Sequence, residues 1–165
     1  MKILLLIFLP ALLAGQSVSV ALGGGAGAFN NTWKRTAASW SAGLLIDNQI
    51  GEHAGSVLGL HYRQRSDRAT RLHTVQADFA GQYIGTRVRV GAGGFFAVGA
   101  GTESDAEPAQ KLGSGVGVSA FVAYRVFRGL SVRLVYDHGL GNLAASGPSV
   151  TAQGAYLLIE YRLSE

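Results

Sequence analysis

The chain of 165 residues contains no cysteine, only 3 prolines and only 15% charged residues. Without cysteine, neither a disulfide framework nor a thiolate metal site is available, which suits an exported protein that needs no disulfides. Beyond residue 15, no stretch approaches the roughly 20 apolar residues that a transmembrane helix needs. Nor does any segment there sustain a 3.6-residue apolar period, so no helix is assigned to the mature chain. A run of basic residues with interleaved aromatics is missing too. The formal net charge of +4 therefore does not read as a nucleic-acid footprint, because the basic residues stand at alternate positions inside apolar segments. What the chain has in quantity is glycine, 24 residues, and hydrophobic residues at 48%. Its length suits one domain and is too short for two comfortable ones.

The N-terminus reads as an export leader. Lys2 precedes the apolar run Ile3 to Leu9, and after Pro10 the apolar stretch continues to Leu13 and ends on the small pair Ala14-Gly15. One positive charge, a short apolar core and a small-residue end describe a secretory signal peptide over residues 1–15, with cleavage expected within 14–19 and Gln16 as the new N-terminus. No cysteine follows, which excludes a lipoprotein anchor. Residues 16–165 then form a single domain.

That domain carries eight segments of apolar and polar alternation. The first runs from about Ser17 to Phe29. The clearest is the second, in which Ala38, Trp40, Ala42, Leu44 and Ile46 alternate with Ser39, Ser41, Gly43, Leu45 and Asp47. The others run to Arg65, from Val75 to Tyr83, from Arg87 to Val98, from Gly115 to Arg125, from Leu130 to Asp137 and from Gly154 to Leu163. Period-2 patterning of this kind marks strands. The connections run long, short, long, short, long, short, long: polar loops at about 30–35, 66–71, 100–112 and 139–149, and tight turns at Asn48-Gln49, Ile84-Gly85 and Phe127 to Gly129. All tight turns then lie at one end of the sheet and all long loops at the other. The expected fold is all-β, an eight-stranded antiparallel up-and-down transmembrane β-barrel.

Period 2 does not by itself distinguish a soluble barrel from a membrane barrel, because either face can be the apolar one. The polar face decides. It carries Arg63, Asp78, Arg87, Arg89, Arg125, Arg133, Asp137, Glu160 and Arg162 among many glycines, and it lacks the dense lysine and glutamate of a water-exposed surface. Guanidinium groups paired with carboxylates in a narrow lumen account for that composition. On the apolar face, Tyr83, Tyr124 and Tyr161 fall near the turn ends, while Trp40, Tyr62 and Tyr136 fall near the loop ends. Two levels of amphipathic rings are what membrane interfaces select. A barrel this small is filled by its own side chains, so it is not expected to be a general diffusion pore, and any ion conductance would require the buried pairs to rearrange.

Some small outer-membrane barrels modify lipids, so a nucleophile or base must be sought. The histidines are His53, His61, His73 and His138, and none is spaced with a serine and a carboxylate in a recognisable triad. His138, beside Asp137 and with Ser146 in the next loop, is the best candidate; adjacent strand residues face opposite sides, which argues against direct pairing. The glycine runs Gly23 to Gly27 and Gly91 to Gly94 lack the helix N-terminus and lysine of a phosphate loop, and close strand packing explains them better. Glu103, Asp105 and Glu107 read as a solvated acidic loop rather than a cation site. No catalytic, cofactor-binding or metal-ligating residue is assigned, and no cofactor is expected.

The second half of the chain resembles a known family. The run Ala123-Tyr124-Arg125-Val126-Phe127-Arg128-Gly129-Leu130-Ser131-Val132, then Tyr136-Asp137-His138-Gly139-Leu140-Gly141-Asn142-Leu143, and the closing alternation through Tyr161-Arg162-Leu163 resemble the PorT-like outer-membrane β-barrels common in Bacteroidetes. The Tyr-x-x-Gly-Leu-x-Asn-Leu piece is the most specific part. The resemblance implies an outer-membrane location and one small barrel of OmpA or OmpX type, with periplasmic termini and no catalytic residues to transfer. The chain departs by ending on Leu163-Ser164-Glu165 where such barrels often end on an aromatic, so recognition by the assembly machinery would rest on Tyr161 and Leu163. The partners expected are outer-membrane lipid, the barrel-assembly machinery during biogenesis and an unidentified protein outside or in the periplasm. The leading expectation is a non-enzymatic barrel with a structural, adhesive or envelope-assembly role. A lipid-modifying enzyme of the outer leaflet and a soluble lipocalin-like carrier are the alternatives.

Overall fold

A computed structural model describes residues 16–29, 37–66, 70–104, 112–145 and 150–163. The leader expected over 1–15 lies outside them, as do Asp105, Glu107 and Ser146. Eight strands follow one another: β1 (Gln16–Phe29), β2 (Ala37–Gln49), β3 (Ala54–Ser66), β4 (Thr70–Ile84), β5 (Val88–Ser104), β6 (Ser114–Phe127), β7 (Leu130–Gly139) and β8 (Ala152–Arg162). Each pairs antiparallel with its neighbours in sequence order, and β1 pairs with β8 to close the barrel. Closure removes both sheet edges, so every strand has a partner on each side.

Alternating residues sort cleanly to two sides. Leu22, Phe79 and Ile159 are 60% or more exposed on the outer wall, whereas Arg63 and Asp137 are at most 1% exposed inside. The arrangement inverts that of a soluble protein: the hydrophobic wall faces out and the ionised side chains face in. The soluble lipocalin-like alternative requires the opposite facing.

Two of the expected loops are shorter than the alternation implied. The β3–β4 connection is reduced to 67–69, because the strands stay paired out to Ser66 and Arg71. Strand β5 runs on to Ser104 rather than ending near Ala100, pairing with β4 beyond an irregularity between His73 and Thr74. Glu103 therefore stands on a strand, with its carboxylate 3.3 Å from Arg71 Nη1. At the turn end the connections are 50–53, 85–87 and 128–129, and Gly129 adopts a φ of 75°, which the two-residue hairpin requires.

The loop end is closed from within. Leu72, Phe95, Ala97, Leu143 and Ala152 form a buried apolar cluster, with Phe29, Leu112 and Val150 packed on it. Asn142 holds the β7–β8 connection in this cap: its Oδ1 accepts hydrogen bonds from the amides of Ala144 at 3.0 Å and Val150 at 2.7 Å. The Gly-Leu-x-Asn-Leu piece thus has a local task, folding the chain back so that Leu143 fills the mouth.

The glycines of β1 serve the closing seam. A Cβ at Gly23 would lie 1.9 Å from the Leu157 carbonyl oxygen, and one at Gly25 would lie 1.9 Å from that of Ala155. At Gly81, on the outer wall, a Cβ meets nothing within 4 Å. Gly25→Val is expected to abolish or sharply reduce the heat-modifiable folded band on a detergent gel, the crowding cost being at least about 1–3 kcal/mol, while Gly81→Val folds like the parent. Equal folding of the two variants would refute the seam argument.

Candidate functional site

The lumen is built in layers. Nearest the turns, Arg89 Nη2 donates to Glu160 Oε1 at 2.5 Å, and its Nη1 lies 3.0 Å from Asp47 Oδ1. Arg133 Nε donates to Glu160 Oε2 at 2.8 Å, and Gln82 Nε2 donates to Asp47 Oδ1 at 2.9 Å. Five strands are tied by this one group: β2, β4, β5, β7 and β8. The guanidinium of Arg133 also lies over the Phe121 ring, 4.1 Å from its centroid.

An apolar layer of Ala21, Leu45, Val57, Ala80, Phe121, Tyr156 and Leu158 comes next. Beyond it, Arg63 and Arg65 both reach Asp137, Arg65 through Nη2 at 3.0 Å. Arg63 Nη2 lies 3.4 Å from Asp78 Oδ2, and His61 Nε2 approaches the same oxygen at 3.3 Å. Arg65 donates further to Gln76 Oε1 at 2.8 Å and Thr74 Oγ1 at 2.9 Å, and Gln76 Nε2 donates to Asp78 Oδ1 at 2.7 Å. The Arg63 guanidinium also faces the Tyr156 ring at 5.1 Å.

Arg63, Arg65, Arg89 and Arg133 thus meet Asp47, Asp78, Asp137 and Glu160, guanidinium for carboxylate. Pairing of this kind is what permits charge to remain inside a low-dielectric wall. Between the charged layers lies a cavity of about 20 Å³, lined among others by His61, Asp78 and Arg133, room for about one water. Side chains occupy the interior from the Leu143 cap to the layer of Arg89 and Glu160.

Of the nine polar residues singled out in the sequence, the structure joins Arg63, Asp78, Asp137, Arg89, Arg133 and Glu160 in these two groups. Three stand apart. Arg87 precedes the first residue of β5, so its side chain clears the rim, and its Nη1 lies 3.5 Å from the Tyr124 hydroxyl. Arg125 is exposed where the β6–β7 register shifts, and Arg162 is half-buried at the rim. Neither takes part in the paired layers.

The lumen group chosen from the sequence left out Asp47, His61, Arg65, Gln76, Gln82 and Tyr156. Their strand parity matches that of the selected residues, so extending the alternation to strand ends and neutral side chains would have found them.

The six aromatics of the outer wall all face away from the lumen. Trp40 packs on Tyr62 with centroids 5.2 Å apart, and the Tyr62 hydroxyl lies 2.8 Å from His73 Nδ1. His138 stacks on Tyr136 at 6.5 Å on the wall opposite to Asp137, which is engaged by Arg63 and Arg65 inside. Among the described residues, no group of three or more His, Asp or Glu side chains is arranged to hold a metal ion.

No protein-family model matches the chain, and no curated protein matches it in sequence. Solved structures do resemble it in shape. Ail, the attachment invasion locus protein of Yersinia pestis, superposes with a TM-score of 0.57 at 9% identity over 89% of this chain and 98% of that one. Neisserial surface protein A gives 0.57 at 11% identity, covering 90% and 97%. The outer-membrane protein OprG of Pseudomonas aeruginosa gives 0.53 at 10% identity, covering 92% and 97%. At these identities the likeness establishes the fold: the barrel has the shape of small outer-membrane barrels from end to end.

Removing one member of a buried pair leaves the other charged and alone. Glu160→Gln is expected to lower the unfolding free energy in urea by about 3–5 kcal/mol, since it leaves Arg133 without a carboxylate and Arg89 with Asp47 alone. Glu160→Gln combined with Arg133→Met should recover part of that loss. A change for Glu160→Gln below about 1 kcal/mol would show that the network contributes little.

Proposed function

We propose that this protein is an integral barrel of a bacterial outer membrane, exported by the leader at 1–15, with its termini and tight turns in the periplasm and its longer connections outside. The observation that carries the reading is the inverted facing: an exposed hydrophobic wall around a charge-paired interior. Left in water, such a wall would far exceed the apolar patch a soluble monomer tolerates; in hydrocarbon it is the required surface, and a closed barrel leaves no strand edge unpaired there. Trp40, Tyr62 and Tyr136 would lie at one interface and Tyr83, Tyr124 and Tyr161 at the other.

The function itself is non-enzymatic, structural or adhesive, and exerted through the outer connections. A lumen filled by ion pairs and capped by Leu143 favours this over passage of solutes. Two of the barrels similar in shape are, by name, an attachment invasion locus protein and a surface protein, which is in keeping with a role carried by loops. The PorT-like resemblance adds a role in envelope assembly as the finer alternative.

Membrane fractionation of cells, followed by protease treatment of intact cells bearing an epitope inserted at 105–111, tests the reading. Recovery in the outer membrane with surface cleavage of the epitope is expected; recovery in the soluble fraction would overturn it. The interface assignment has its own check. In a Trp33→Phe background, Trp40 is the one tryptophan left of the chain's two. Lipids brominated near the headgroup should quench it more than lipids brominated at the chain terminus, and the reverse order would place Trp40 in the bilayer centre.

A further inference from the structure

The turn-end mouth of the barrel holds three arginines that the lumen network does not use. Arg125, Arg128 and Arg162 surround a cavity of about 140 Å³ whose remaining lining is Gly129, Ser131 and Glu160. The one carboxylate there is already committed, since Arg89 holds Glu160 Oε1 at 2.5 Å and Arg133 holds Glu160 Oε2 at 2.8 Å. No carboxylate among the described residues lies within ion-pair distance of the three guanidiniums. Below the rim the described charges cancel; at the rim three positive charges converge with no carboxylate among the described residues paired to them.

The placement is also specific. Arg125 directly follows Tyr124 and Arg162 directly follows Tyr161, two aromatics of the outer wall, and Arg128 sits in the hairpin turn between them. The three arginines thus gather at the same end of the barrel as these two rings. The cavity is open enough for several waters or one tetrahedral oxyanion, with the Ser131 hydroxyl on its floor as a further donor. Planar guanidiniums match the oxygens of a phosphate in pairs, which makes convergent arginines a phosphate-recognition arrangement.

We propose that the turn-end mouth binds a phosphate group through Arg125, Arg128 and Arg162. The same chemistry is offered by the headgroup of a phospholipid in the adjoining leaflet and by free phosphate. The site follows from the geometry whichever way the barrel is inserted; only the identity of the leaflet rests on the orientation given above, and the epitope experiment tests that separately.

The test uses the mature full-length chain, folded in an uncharged maltoside detergent and labelled with ¹⁵N-arginine. Inorganic phosphate is titrated in one arm, and dihexanoyl phosphatidylglycerol, kept below its micelle concentration, in a second. Chloride at matched ionic strength is the third arm. Saturable shifts of the Nε resonances of Arg125, Arg128 and Arg162 are expected with a phosphate-bearing probe and not with chloride, with affinity falling about tenfold for each arginine changed to glutamine. Saturation by the lipid at least tenfold tighter than by inorganic phosphate assigns the site to headgroups; saturation by phosphate equal to or tighter than the lipid assigns it to the soluble anion. Non-saturating shifts, shifts that chloride reproduces, or binding unchanged in R125Q/R128Q/R162Q would overturn the proposal. The triple variant leaves the paired layers intact, so its heat-modifiable band should persist and separate lost binding from lost folding.

Discussion

Everything in this barrel depends on ionised side chains meeting their opposites inside a wall eight strands around. A guanidinium enclosed by backbone and hydrocarbon is tolerable only when a carboxylate sits against it, and the desolvation of both must be offset by short, well-aimed contacts. The two charged layers meet that condition with bonds that span distant parts of the chain, Asp47 with Arg89, Arg65 with Asp137, Arg89 with Glu160. Each such bond is indifferent to the outer wall, which can be made of any residue lipid accepts. Specificity of register therefore comes from the inside: slipping β2, β3, β4, β5, β7 or β8 by one residue would carry its lumen charge to the apolar outer face.

Much of this was legible in the sequence because the side-chain period of a strand is two. Parity alone separates Trp40 from Ser41 and Leu157 from Tyr156, and it fixes the strand count and the facing together. Parity says nothing, however, about which strands face each other across the lumen. The bond from Arg65 to Asp137 depends on closure and tilt, which no local pattern records. Strand ends were also hard to read. Polar residues such as Ser66, Arg71 and Glu103 look like loop, yet cross-strand pairing keeps them in the ladder, because the strands outrun the apolar belt. Arg87 and Arg125 erred the other way: they share the parity of the lumen residues but lie where turn geometry and a register shift carry the side chain past the rim.

The loop end shows how one short signature can act on the whole barrel. Asn142 mimics two turns of backbone by accepting from two amides at once, and the fold-back it fixes delivers Leu143 to the apolar cap above Phe95 and Ala152. The cap and the paired layers fill the lumen by different means, one by dispersion and burial, the other by pairing guanidinium with carboxylate. Together they leave the connections at the loop end free to vary without disturbing the wall.

The position of Glu160 sets a clock for assembly. It lies on the last strand, while the two arginines it satisfies lie on β5 and β7, and the seam glycines that receive its strand lie on the first. Until that strand docks, Arg89 has only Asp47 and Arg133 has no carboxylate among the described residues, so a barrel lacking its final staple carries excess positive charge in its interior. The zipping of the seam and the discharge of the lumen are consequently a single event, and a half-zipped intermediate is electrostatically marked as unfinished.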